Sequence, residues 1–227
     1  MKRCVMAIDL GTTSTRIMLF DHNTKVLATA QKPLPQYYPK PGWHHHDAVE
    51  QWELVKELMP QALIKAGIKW DEVAAIGIDS HRESTVLWNK DTDEPYYPLI
   101  VWASRQSTEQ TDRWNQDKAF VSKVRERTGM TINPAFTASK IVWMLENVEG
   151  LREEVMAGKV RMGTPDSWLI WKLTGGKSHV IDSSEGSRTM MSNIHKDEWD
   201  RELIRELGIP DELILPKIVP TVGVMGY

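Results

Sequence analysis

An apolar run over Val5–Ile8 ends in Asp9, and after Leu10, Gly11, Thr12, Thr13, Ser14, Thr15 and Arg16 a second apolar run extends from Ile17 to Phe20. Two such runs joined by a short glycine turn predict a β-hairpin. Gly11 lets the backbone approach closely, and the hydroxyls around it gather several N–H and O–H donors in one place. A concavity of that kind suits phosphate oxygens. Asp9 is placed to hold a magnesium ion through water, and Arg16 adds a positive charge nearby. The competing reading is a hairpin whose loop is merely polar.

At 227 residues the chain is long enough for one large domain or two small ones with a substantial core. A net charge of -3 gives no electrostatic case for nucleic acid or a membrane as the partner. Ten tryptophans are unusual, and most of them are expected in the core. Cys4 is the only cysteine, so an internal disulfide is excluded and a reducing compartment follows. Asp9 cuts the first apolar run too short for a signal peptide, and no stretch is apolar enough to span a bilayer. The expected location is the cytoplasm.

Further along, Lys25 to Pro35 predicts a third antiparallel strand, with Val26, Ala28 and Ala30 on one face. Pro33, Pro35, Pro39 and Pro41 then make a loop closed by Gly42-Trp43. Asp47 is a helix N-cap with Glu50 three residues later, and an apolar stripe runs to Gly67 with a kink or break expected at Pro60. Val73–Ile78 is a continuous apolar run and predicts a buried strand. Thr85–Trp88 and Tyr96–Trp102 predict strands about a turn, and helices are expected over 104–116, 118–127, 134–147, 164–173 and 197–207. From Pro216 onward no helix stripe or clean cap appears, and the tail reads as a connection in an incomplete chain. Strands followed by a helix-rich half predict an α/β domain.

Familiar phosphate cradles are absent. Gly175-Gly176-Lys177-Ser178 ends like a P-loop, but Trp171 stands where its first glycine belongs. No dinucleotide-binding glycine fingerprint occurs, which leaves the opening hairpin as the phosphate candidate. Arg82-Glu83 lies at the polar end of a predicted strand, where ligands of open α/β sheets bind. A guanidinium supplies donors and a carboxylate acceptors, so the pair can grip adjacent hydroxyls of a polyol; a solvated surface pair is the alternative. Trp102 can cover the apolar face of the same ligand or simply pack in the core. In His44-His45-His46 only His44 and His46 can converge, and no second pair has ligand spacing, so metal binding there is disfavoured.

These residues bring a resemblance into view. The chain resembles the N-terminal domain of the FGGY carbohydrate kinases, and within them the glycerol kinase branch, from Ala7 to about Gly223. The motifs are Tyr38-Pro39-Lys40-Pro41-Gly42-Trp43, Ala74-Ala75-Ile76-Gly77-Ile78, Arg82-Glu83-Ser84-Thr85, Ile100-Val101-Trp102, the segment Gly163 to Lys172, and Ser187-Arg188-Thr189-Met190. The hairpin alone also resembles that of chaperone ATPases; the later segments separate the two. The resemblance implies an actin-like (ribonuclease H-like) ATPase fold, a mixed sheet flanked by helices, with residues 1–227 as the substrate-side lobe and a C-terminal nucleotide lobe outside them. It implies transfer of the ATP γ-phosphoryl group, with Mg2+, to a primary hydroxyl of glycerol or a related polyol or sugar. By motif, Thr12, Thr13, Ser14 and Arg16 contact nucleotide phosphates, Asp9 lies near the metal, and Arg82, Glu83 and Trp102 bind the polyol. A homo-oligomer is left open.

Three departures bear on the substrate. The family's pocket tyrosine is here Ala135, the pair before Arg82 is Ser80-His81 instead of Asn-Gln, and a family glutamate is His45. A larger polyol or sugar, or weak binding of glycerol, is therefore expected. The family's catalytic aspartate, in an Asp-Gln pair, lies beyond Tyr227, so residues 1–227 alone are expected to be inactive. A non-catalytic polyol-binding or regulatory module is the alternative function.

Overall fold

The computed structural model describes residues 3–227. The chain forms two compact units. One contains the chain up to Gln36 together with His46–His81; the other contains Tyr37–His45 and Arg82–Tyr227.

The chain begins with β1 (Cys4–Leu10), β2 (Ser14–Phe20) and β3 (Val26–Pro33), then a two-residue strand β4 (His45–His46), helix α1 (Ala48–Ala66) and β5 (Val73–Ser80). In the first unit the strands form one mixed sheet in the order β3-β2-β1-β5, antiparallel except for the parallel β1/β5 pair. Alternation decides which face is covered: Met6, Ile8, Leu10, Ile17, Leu19 and Ala30 are buried, as are Val55, Leu58, Ala62 and Leu63 on α1, which packs on β2 and β3. Asp47 caps α1 by accepting from the N–H groups of Val49 and Glu50, and Gly67 ends it in the left-handed region at φ 62°. Replacing Asp47 with alanine is expected to cost about 1 kcal/mol of stability, read from denaturant unfolding.

Two expectations for this unit need correction. Of the kink or break expected at Pro60, the break does not occur: α1 runs through Pro60 as one helix. The carbonyl that loses its partner belongs to Lys56, an exposed residue, so water can satisfy it. β5 is a strand, but it is not buried: Ala74, Ala75, Ile76 and Gly77 are exposed. It lies at the sheet edge with β1 on one side, and the helix covers the strands at the other end.

The second unit carries β6 (Val86–Asn89), β7 (Leu99–Ile100), α2 (Thr108–Asn115), α3 (Lys118–Thr128), α4 (Thr137–Asn147), α5 (Leu151–Met156), β8 (Val160–Gly163), α6 (Pro165–Leu173) and β9 (Val180–Asp182). It continues with α7 (Ser183–Gly186), a 3-10 turn at Ser187–Thr189, β10 (Ser192–Asn193), β11 (Glu198–Trp199), α8 (Arg201–Glu206) and β12 (Lys217–Val219). Its core is built on α4, whose residues Thr137–Leu145 are all buried. Around it lie Leu87, Ile100, Val124, Val160, Met162 and Leu203. Trp88 and Trp168 are buried and meet edge to face at 5.2 Å, so these tryptophans are core residues as expected.

The helix expected from residue 104 starts at Thr108, because Ser104 is held in a loop by the Val101 carbonyl and the Gln106 side chain. The one expected from residue 197 starts at Arg201, since Asp200 is its cap and Glu198–Trp199 pairs with β10. The expected return strand over Tyr96–Trp102 is reduced to β7 and isolated bridges. In the tail, β12 pairs in parallel with β9, a strand the sequence reading missed. Among the described residues no helix is long and apolar enough to cross a membrane.

Candidate functional site

In the first unit the opening stretch is a hairpin whose turn lies between Leu10 and Ser14. At Gly11 a Cβ would stand 3.0 Å from the Ser14 carbonyl oxygen, a tighter contact than most side chains make, so the close approach in this turn favours glycine. The turn is fixed from outside. Gln36 donates from Nε2 to the Thr12 carbonyl at 3.0 Å, the Leu34 N–H donates to the Thr13 carbonyl at 3.0 Å, and Gln31 donates to Ser14 Oγ at 2.9 Å. Thr13 is exposed, Thr12 and Ser14 are half-buried, and Thr15 points into the core.

Asp9 and Arg16 are register partners on β1 and β2. Asp9 Oδ2 accepts from Arg16 Nε at 3.1 Å and from Nη2 at 2.5 Å. Asp79 is the register partner of Asp9 on β5, so base, acid and acid lie in a row across three strands. Sequence reasoning overlooked Asp79; the signal was an acid at the polar end of an apolar run. Two carboxylates with phosphate oxygens and water are a donor set that fits magnesium. Among the described residues no group of three or more His, Cys, Asp or Glu forms a metal cluster. The histidine run does not converge: His44 stacks on Tyr38 at 4.7 Å, His45 bonds Gln106 at 2.5 Å, and His46 bonds Gln36 at 3.2 Å. Burial pushes the His44 and His45 rings below their ordinary pKa.

In the second unit the structure brings Arg82, Glu83 and Trp102 together through Ser84, whose Oγ accepts from the Trp102 N–H at 3.0 Å. Thr85 and Ile100 exchange both backbone hydrogen bonds at 3.0 Å, which holds the two segments side by side. Trp102 is 44% exposed, so it is not a core residue here. Arg82 is exposed and makes no ion pair among the described residues. Glu83 sits at φ 62°, the left-handed region that glutamate, unlike glycine, asparagine or aspartate, rarely adopts. Its carbonyl accepts from Thr137 Oγ1 at 3.1 Å, and its Oε1 accepts from Arg188 Nε at 2.7 Å.

Lys140 escaped the sequence reading. Its side chain is fully buried on α4 and donates to the carbonyls of Pro134, at 2.9 Å, and Ala135. Burial pushes its ammonium down to about 7, and the Glu83 charge opposes that shift. The sequence around Lys140 marks it only as the one charge between Thr137 and Leu145, which a solvated helix position would equally explain. Farther off, burial raises Asp166 at the start of α6 to about 6, despite a hydrogen bond from Thr164.

A mixed sheet carrying an acid-bearing hairpin, with helices packed against it, is the fold of the actin-like ATPases. The profile of the FGGY family of carbohydrate kinases, N-terminal domain, matches residues 4–227. A glycerol kinase of Caldanaerobacter subterraneus subsp. tengcongensis is 46% identical over 227 residues, which is 100% of this chain and 45% of that protein. The structure of Plasmodium falciparum glycerol kinase with ADP superposes with a TM-score of 0.91 at 26% identity, covering 98% of this chain and 44% of that one. A ligand-bound xylulose kinase from Lactobacillus acidophilus gives 0.81 at 28% identity, over 95% of this chain and 42% of the other. The chain belongs to the FGGY family of carbohydrate kinases. It spans less than half the length of these relatives.

Proposed function

We propose that this chain is the substrate-side part of an ATP-dependent kinase acting on a primary hydroxyl of glycerol or a related polyol or sugar. The observation that carries the reading is the grouping of Arg82, Glu83 and Trp102 through Ser84, in a chain of this family. Arg82 donates to hydroxyls, Glu83 accepts from them, and Trp102 lies against carbon-bound hydrogens. Thr12, Thr13, Ser14 and Arg16 take nucleotide phosphates. Asp9 and Asp79 would hold magnesium, which neutralises charge on the phosphates when bound. The base that accepts the hydroxyl proton is expected outside residues 1–227. A single buried cysteine, Cys4, suits the cytoplasm. Ala135, where the family resemblance leads to a tyrosine, supports an acceptor larger than glycerol or weak glycerol binding. The same departure favours a second reading, a polyol-binding or regulatory module without turnover.

Turnover of the protein at its natural length decides between them, using ATP, Mg2+ and a panel of glycerol, erythritol, pentitols and ketoses. ATP-dependent formation of a phosphate ester from at least one acceptor is expected, and residues 1–227 alone should give none. Ala135→Tyr is expected to raise kcat/KM for glycerol by about 5–100-fold, the worth of one hydroxyl hydrogen bond. Equal values for the two proteins remove the pocket argument, and no turnover of any acceptor leaves the binding-module reading standing.

A further inference from the structure

The segment Ser187–Met190 has no part in the function above, yet it reaches the substrate-side acid across 105 residues of sequence. Resting on the polyol-kinase reading, we propose that Arg188 is a positioning residue for polyol recognition: it fixes the Glu83 carboxylate through one oxygen and leaves the other for a substrate hydroxyl.

The geometry is specific. Arg188 Nε donates to Glu83 Oε1 at 2.7 Å, and the two side chains are 36% and 12% exposed. The guanidinium lies 5.1 Å over the Phe136 ring, and its Nη1 stands 3.6 Å from the Met130 sulfur. Three contacts from three directions therefore hold the cation in one place. Glu83 Oε2 accepts no hydrogen bond among the described residues.

The surroundings are built to hold this pair. Five non-glycine residues have positive φ among those described. Thr24, Asp93 and Asp197 sit in turns following strands, but Glu83 and Met190 lie on the two segments that the ion pair joins. Left-handed non-glycine backbone persists only where its surroundings over-determine it, and it gathers at functional sites. Thr137 holds the Glu83 carbonyl, and Lys140 ties down the Pro134 and Ala135 carbonyls just before Phe136, the ring under Arg188. Lysine is only a partial substitute for Arg188: its point ammonium keeps the charge but lacks the planar face that stacks while its edge donates.

An ion pair that merely joins two loops would leave catalysis to fail, if at all, through general loosening. The test separates these roles in the protein at its natural length. Arg188→Gln is expected to raise KM for the polyol by about tenfold or more, the loss of a charge-assisted hydrogen bond. KM for ATP should stay within about twofold, because Arg188 contacts no group assigned to the nucleotide. The milder Arg188→Lys should fall between wild type and Arg188→Gln, and it provides the comparison if the glutamine variant folds poorly. Added guanidinium ion should recover part of the polyol KM in Arg188→Ala. Polyol and ATP constants rising together, an unchanged polyol KM, or no recovery with guanidinium would overturn the proposal. Absence of turnover in the wild type is instead a failure of the kinase reading, so the two failures remain distinguishable.

Discussion

Glu83→Gln should lower kcat/KM for the polyol by about 10²–10³-fold, with KM for ATP unchanged. Glutamine keeps the shape and one acceptor oxygen but loses the charge. Charge-assisted hydrogen bonds are about twice as strong as neutral ones, and truncating one partner of a hydrogen-bonded charge pair costs about 2–5 kcal/mol. Here the loss falls twice: on the hydroxyl that Glu83 would accept from, and on Arg188, whose counter-ion becomes a neutral amide. Steady-state kinetics against both substrates, with a melting curve to confirm folding, reads the split. A polyol constant within about threefold of wild type would mean that Glu83 is a structural acid and that the substrate is held elsewhere.

A second large effect concerns stability. In the unfolded chain Lys140 titrates near 10.5, whereas burial in the fold brings it down to about 7. Between those values the unfolded chain binds more protons than the folded one, so stability rises with pH across that window. This contribution is complete above 10.5 and is lost as pH falls through 7. Lys140 should supply a slope of up to about 1.4 kcal/mol per pH unit. In Lys140→Met the slope from this group disappears. Unfolding free energies of both proteins at several pH values from neutral to alkaline isolate it, because the other titrating groups cancel in the difference. Parallel profiles would show that Lys140 stays charged in the fold. Glu83 is the charged neighbour that raises the Lys140 pKa, so in the Glu83→Gln background the rise of stability with pH should begin at a lower pH.

The parts of this molecule written in local sequence were legible. Gly11 between two apolar runs announced the hairpin, and Asp47 and Gly67 marked the ends of α1, because turns and caps are chosen by residues that are neighbours in the chain. Arg82, Glu83 and Trp102 could be named through a family resemblance, and their grouping depends on Ser84, which lies next to Glu83. The rest depended on distant partners. Arg188 gives no sign in its own surroundings that it ends on Glu83, and Lys140 looks like one more helix-forming residue until its burial is known. The exposure of β5 was misread for the same reason: an apolar run records what a strand is suited to touch, and the layer that touches it is set elsewhere.

That exposed strand also bears on the molecule's behaviour before folding is finished. Val73–Ile78 is short, apolar, uncharged and free of proline, the composition that favours stacking between copies. It is synthesised well before α4, around which the second unit's core is built, so it meets other chains while much of the protein is still missing. Asp71 and Glu72 stand immediately before the run and Asp79 immediately after it. Like charges at both ends of an open edge oppose its pairing with an identical edge. The acid that closes this run, Asp79, thus has the place and charge of a residue that opposes edge-to-edge association, and in the fold the same residue lies beside Asp9.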